Sequence, residues 1–367
     1  MRRRGRLRAA LVRVGIVAGS VATTVLLLEI LLRHVAILAP RGSYGAPRVD
    51  RGLGLTVHAA PPLYHRGRWT LREVNSDGFL DVEHARLKPP GHVRIGFFGD
   101  SYVEAMQAPL EETFYRKLPA EIAGRPVEAF GFGISGWGTL HSLVTYKVMG
   151  PRYDLDYVVY VFVTNDPGDQ HEKVRPGADL WATLTDIPPG FVTHTRARSR
   201  KSLLSRARTF AERHLILARV IRVQWQLRVA QADAGPDGRE AAAPRSDYQN
   251  DDPTTWPPQT LVEAKLLTHR ILAQFRDEVV RDGRRFAVLY VPRGDKDLMG
   301  SIKPEDDWGL WLSATCEELG IRLLNPRALL SEKHAAGVRI YEDHWTPEAH
   351  ELIASFVAES LAGDLGP

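Results

Sequence analysis

Four short stretches hold groups suited to acyl transfer. They are Gly99-Asp100-Ser101 in "IGFFGDSYVEAMQ", "GFGISGWGT" at 131–139, Thr164-Asn165-Asp166, and Glu342-Asp343-His344 in "GVRIYEDHWTPEAH". A serine hydroxyl becomes a good nucleophile when a neighbouring base takes its proton, and His344 is the candidate base for Ser101. The imidazole in turn needs a carboxylate to hold its tautomer and stabilise the imidazolium. The tetrahedral oxyanion needs donors preset where its charge develops. Ser101 N–H, Gly136 N–H and the Asn165 side-chain amide are the candidates. A glycine at 136 lets the backbone approach a substrate with no Cβ in the way.

Each stretch also has a plainer reading. Ser101 would cap the helix that follows it, with Asp100 holding the turn. Asn165-Asp166 before Pro167 fits an Asx turn. The glycine stretch lacks G-x-x-x-x-G-K-[ST] and matches G-x-G-x-x-G poorly, which argues against a phosphate loop and so against a nucleotide- or flavin-binding module. His350 reads as helix surface or local packing. For the acid, two residues stay open. In an extended chain positions i and i+2 share a face, which points to Glu342. Residue type points to Asp343, provided a tight turn brings it round. A Ser101–His344 dyad in which neither acid is essential is the third possibility.

The elements that must position these stretches are legible as apolar runs. "VRIGFF" (93–98), "PVEAF" (126–130), "YVVYVFV" (157–163), "RFAVLYV" (285–291) and "IRLL" (321–324) suit strands covered on both faces. Amphipathic helical patterns lie near 109–123, 138–149, 259–282, 306–319 and 347–361. This alternation predicts a three-layer α/β/α domain with a central parallel sheet. In such a sheet ligands bind beyond the carboxyl ends of the strands, which is where all four stretches fall.

On those residues the sequence resembles the SGNH/GDSL hydrolase superfamily, over roughly 90–170 and 285–360. "FFGDS" is similar to its first block, "GFGISGWG" to its glycine block, "VTND" to its asparagine block and "DHWTPEAH" to its histidine block. The resemblance implies a flavodoxin-like α/β/α fold with Ser101 as nucleophile, Gly136 and Asn165 in the oxyanion hole, and His344 as base. It also implies an ester substrate and no cofactor. Members hydrolyse esters or transfer acyl groups, so an O-acyl group on an envelope glycan or glycolipid is the implied substrate class, with water or a sugar hydroxyl as acceptor. One departure stands out. Family members usually carry Asp three residues before the histidine, and some carry it two before; here those positions are Tyr341 and Glu342. That departure keeps open a catalytically silent module that binds glycan or a partner protein in envelope assembly.

The ends and the charge bound the setting. The 367 residues are 44% hydrophobic and 25% charged, an ordinary globular composition with net charge +4. Six arginines precede residue 14, and "VGIVAGSVATTVLLL" (14–28) carries no charge. The span 11–32 is long enough to cross a bilayer, with Arg13 and Glu29 near its ends. The competing readings are a cleaved signal peptide and a buried helix of a soluble protein; no A-x-A site follows, which favours a retained signal-anchor over cleavage. The arginines predict a cytoplasmic N-terminus and an exported remainder. Residues 1–39 thus read as basic stub and anchor, 40–92 as an approach segment with a turn at "VNSDGF" (74–79), and 93–363 as the hydrolase-like domain. Residues 167–258 interrupt the alternation with a basic helical stretch (202–231) and a Gly/Ala/Pro/Asp-rich segment (232–259) expected to be a flexible loop. The ten Arg/Lys between Arg196 and Arg228 face one acid, Glu212. They suit a solvated lid face, or anionic lipid beside the anchor. No aromatic interleaving suggests nucleic acid. The single cysteine, Cys316, reads as a small core residue, and no ligand spacing implies a metal.

Overall fold

The computed structural model describes residues 2–34, 42–50, 52–65, 69–175, 180–184, 194–195, 203–233, 253–292, 294–299 and 307–365. Most of the segment expected to be a flexible loop, 234–252, lies outside the described residues. The chain divides into two compact units. One comprises Met1–Ala46, Pro62–Thr70 and Arg200–Pro244, the other Pro47–Pro61, Leu71–Ser199 and Arg245–Pro367.

The larger unit is built on β1 (Val93–Gly99), β2 (Glu121–Ile122), β3 (Arg125–Gly133), β4 (Tyr157–Phe162), β5 (Arg285–Tyr290) and β6 (Arg322–Leu324), in spatial order β6-β5-β4-β1-β3-β2. All pairings are parallel except the short edge strand β2, which runs antiparallel to β3. Counting the five parallel strands alone, the order is 2-1-3-4-5, the flavodoxin-like order. The strands are apolar on both faces because both are covered. Phe98, Phe132, Tyr160, Phe162 and Tyr290 point into one core with α3 (Thr139–Tyr153), α7 (Pro258–Arg281) and α9 (Trp308–Leu319). Ile95, Phe97, Val159, Val161 and Leu289 point into the other with α10 (Arg327–Ala335) and α11 (Pro347–Leu365). The expected three-layer α/β/α architecture is what the chain adopts.

One expectation needs correction, and two open readings are narrowed. The helix near 109–123 does not form. A 3-10 turn at Leu110–Glu112 gives way to loop and then to β2. Its Phe114 N–H goes to the His350 imidazole at 3.2 Å instead of to a helical carbonyl, Phe114 and Tyr115 are both buried, and Pro119 interrupts any continuation. His350 itself is fully buried, not on the helix surface. The approach segment also does more than connect: Leu53, Leu55, Val57 and Phe79 belong to the first core. Its expected turn is present, with the Asn75 side chain accepting the Gly78 and Phe79 N–H groups at 3.0 Å each.

In the smaller unit α1 (Arg2–His34) is one continuous helix of 33 residues, and Val12–Arg33 is long and apolar enough to cross a membrane. The basic stretch forms α5 (Leu203–His214) and α6 (Ile216–Asp233). Cys316 is buried.

Candidate active site

The register of the sheet decides where the candidate groups fall. Gly99 at the end of β1 pairs with Gly133 at the end of β3, while β1 also pairs with β4. Ser101, the 134–138 loop and Asn165 therefore leave neighbouring strand ends, at the point where the strand order reverses. Gly133 is required for this closeness: a Cβ there would lie 2.5 Å from Val103 Cβ and 2.6 Å from Glu104 N.

Ser101 opens the one-turn helix α2 (Ser101–Glu104), and it does not cap it. The cap is Asp100, whose carboxylate accepts the Tyr102 N–H at 3.0 Å. Ser101 sits at the first helical position, its hydroxyl within 3.4 Å of the Asp100 carboxylate, to which it donates. From the far end of the chain, β7 (Tyr341–Glu342) and β8 (His344–Trp345) form a tight antiparallel hairpin. Thr346 accepts the Ala349 N–H through its hydroxyl at 3.2 Å and so ties the hairpin to α11. That hairpin places His344 Nε2 2.7 Å from Ser101 Oγ. The His344 ring is buried beside Tyr102, centroids 4.8 Å apart.

The two acids separate. The chain reverses at Asp343, whose φ is +88°, so positions 342 and 344 face each other across a hairpin instead of lying along one strand. Asp343 Oδ2 is 3.4 Å from His344 Nδ1, an ion-pair contact without hydrogen-bond geometry, and Nδ1 has no other hydrogen-bond partner among the described residues. Glu342 pairs with Arg339 at 3.0 Å. The face-sharing argument for Glu342 assumed an extended chain, and the turn removes that assumption.

Gly136 and Asn165 also lie at this edge. Gly136 has φ +78°, and Arg175 donates to its carbonyl at 3.0 Å while pairing with Asp169. The Asn165 amide donates to Asp169 at 2.9 Å and to Asp100 at 3.3 Å. Its N–H groups thus serve two carboxylates in this state. An oxyanion donor role requires it to turn away from one of them.

No protein-family model and no curated protein matches this chain. Solved structures do. They are lipolytic enzymes and esterases. A member of the lipolytic G-D-S-L family from Veillonella parvula is 11% identical, with 73% of this chain and 97% of that one covered and a TM-score of 0.39. The psychrotrophic esterase EstA from a Pseudoalteromonas species is 10% identical over 74% and 98%, TM-score 0.39. The lipase/acylhydrolase from Enterococcus faecalis is 11% identical over 74% and 96%, TM-score 0.37.

Sequence reasoning missed the buried polar groups behind this edge of the sheet. Glu104, on α2, accepts Ser135 N–H at 2.9 Å together with the Ser135 hydroxyl, and pairs with His58. Burial alone would raise its carboxyl, but His58 and Ser135 hold it below the usual range. Glu104 therefore ties α2, which carries Ser101, to the residue before Gly136. Asp169 lies one helical turn after Asn165, a spacing that could have exposed the pair. Arg175 and His58 carried no local signal. Asp166 is fully buried, accepts from Tyr160 and Val163, and is pushed well above the carboxylate range by burial and by Asp100. Burial holds His350 neutral, down to about 3. Among the described residues no cluster could hold a metal ion.

Proposed function

We propose that the protein is a serine ester hydrolase of SGNH type. The observation that carries this reading is the 2.7 Å contact between His344 Nε2 and Ser101 Oγ, made across 243 positions of chain at the carboxyl edge of the sheet. His344 Nε2 takes the hydroxyl proton as Ser101 Oγ attacks the ester carbonyl. The oxyanion is met by the Ser101 and Gly136 N–H groups, joined by Asn165 once it releases Asp100. Collapse expels the alcohol, which receives its proton from His344, and leaves an acyl-Ser101 ester. Water, deprotonated by His344, then releases the carboxylate. With Nε2 facing the serine, Nδ1 carries the ring proton, and Asp343 is the carboxylate beside it, at 3.4 Å.

For the substrate we propose an O-acyl group on an envelope glycan or glycolipid, with α1 as an anchor that holds the enzyme at the membrane and its site outside the cytoplasm. The apolar span and the arginines before it support this setting. A sugar hydroxyl in place of water as acceptor would make the same site an acyltransferase. A silent binding module fits less well, because binding alone has no use for an imidazole set against a serine.

A fluorophosphonate probe tests the reaction class. The native protein should label, and Ser101→Ala should not. Labelling that survives Ser101→Ala, or its absence from folded native protein, would remove the enzyme reading. Comparing acetyl with longer acyl esters, and acetylated oligosaccharides with simple esters, then tests the substrate class.

A further inference from the structure

The smaller unit contains a contact that the esterase reading does not use. Glu29 lies in the apolar helix α1 yet is only 6% exposed. Its carboxylate accepts the backbone N–H groups of Ile216 at 3.0 Å and Leu217 at 3.1 Å, and Arg33 donates to it at 3.0 Å. Ile216 and Leu217 open α6, so Glu29 satisfies N–H groups that a helix start leaves free, at its positive end. Leu32, Ile216 and Val220 pack together beside it.

This contact fixes a depth. At 1.5 Å per residue the 22-residue span Val12–Arg33 is about 33 Å long, close to the ~30 Å hydrocarbon thickness of a bilayer. Glu29 to Arg33 form its last turn, at the level where acyl chains give way to headgroups, and α6 starts there. Along α6, Ile221, Trp225 and Arg228 follow at i, i+4 and i+7 and share one exposed stripe, with Ile221 59% and Trp225 69% exposed. On α5, Phe210 is 66% exposed, with Arg213 and His214 exposed one turn on. Glu212, the one acid of the pair before Asp233 at the far end of α6, is already engaged by Arg208 and Arg222. Exposed aromatic and aliphatic side chains beside the exposed Arg213 and Arg228 suit a helix lying in a membrane interface, and an indole favours headgroup depth. A face meant only for water has no reason to present Ile221 and Trp225 together.

We propose that α5 and α6 form a platform on the anionic membrane surface, docked onto the last turn of α1, with Ile221 and Trp225 at the acyl boundary and the arginines among phosphate headgroups. The proposal rests on reading α1 as a membrane span. The test uses the full chain in phosphatidylethanolamine/phosphatidylglycerol vesicles, with an environment-sensitive fluorophore at Val17→Cys, Ile221→Cys, Trp225→Cys or the exposed control Glu317→Cys. Native Cys316 is buried with its thiol pushed up to about 12, so it stays unlabelled. Spin-labelled lipids should quench position 17 deeply and positions 221 and 225 at headgroup depth, leaving 317 unquenched. Quenching at 225 should fall about twofold or more in vesicles of phosphatidylcholine alone. If 221 and 225 match 317 while 17 is quenched, the platform is wrong and the anchor stands. If 17 is unquenched, the anchor reading fails and takes the platform with it. Equal quenching at 225 in both vesicle types would overturn the anionic component.

Discussion

The Asp100 carboxylate accepts the Tyr102 N–H at 3.0 Å and is also the acceptor for the Asn165 amide at 3.3 Å. One buried acid thus caps the helix that carries Ser101 and holds a candidate oxyanion donor. Burial raises it to about 6, against the opposing pull of the Tyr102 N–H and His344. Between its ordinary value of 3.8 and about 6, the folded protein keeps a proton that the unfolded chain has released. That stabilisation is complete below pH 3.8 and is lost as pH rises through 6, on the order of 3 kcal/mol. Asp100→Asn preserves a cap and should flatten this part of the stability–pH curve. Chemical denaturation of both proteins from pH 4 to 7 checks it, and parallel slopes would count against the assignment.

Asp343 and Glu342 should differ sharply on substitution. Glu342 pairs with Arg339 at the surface, so Glu342→Gln should leave kcat/KM within about twofold. Asp343→Asn should reduce it clearly, though by less than the ~10⁴-fold that a closely bonded triad acid carries, because its contact with Nδ1 is 3.4 Å and poorly aligned. Ester hydrolysis by the two variants decides between them. Equal, small losses would indicate a dyad.

Asp343 also sits at φ +88°, a conformation that suits glycine. Asp343→Gly should therefore unfold later, by about 1 kcal/mol, while losing activity like Asp343→Asn. A stabilised but slower enzyme is the expected pairing; a destabilised one would show that the carboxylate holds the hairpin.

Gly136→Ala meets two obstacles, the positive φ and the Arg175 guanidinium 2.5 Å from the new Cβ. Stability should fall by about 1 kcal/mol or more. If the Gly136 N–H faces the oxyanion, kcat should fall by about 10²–10³ with KM little changed. A loss confined to KM would place Gly136 in substrate binding instead.

Glu104 acts through Ser135 and not on substrate. Glu104→Ala strands the Ser135 N–H and the His58 ring, at a cost of about 1–3 kcal/mol, and should lower kcat more than it raises KM. Glu104→Gln keeps one acceptor and should recover part of the kcat. No recovery by the conservative variant would speak against a positioning role.

The parallel strands, the three-layer arrangement and the first three strand-end loops were legible because each is a local pattern: an apolar run, then a polar or glycine residue where the sheet ends; Glu342-Asp343-His344 instead lies in a separate hairpin beyond α10. The groups behind them were not. Glu104 meets His58 and Ser135, and Arg175 meets Gly136, through contacts that no periodicity encodes. The false helix at 109–123 had the right spacing of apolar residues, but Phe114 gave its N–H to His350, 236 positions away. The choice of acid turned on one torsion angle at Asp343.

The Glu29 contact bears on how the protein can be produced. Cutting the chain after α1, by a signal peptidase or in the laboratory, would leave the first N–H groups of α6 without their carboxylate and uncover Ile216 and Val220. A secreted or truncated form beginning near residue 40 would therefore carry an adhesive helix pair. Removing 200–244 along with the leader is the cut that the smaller unit's own wiring recommends.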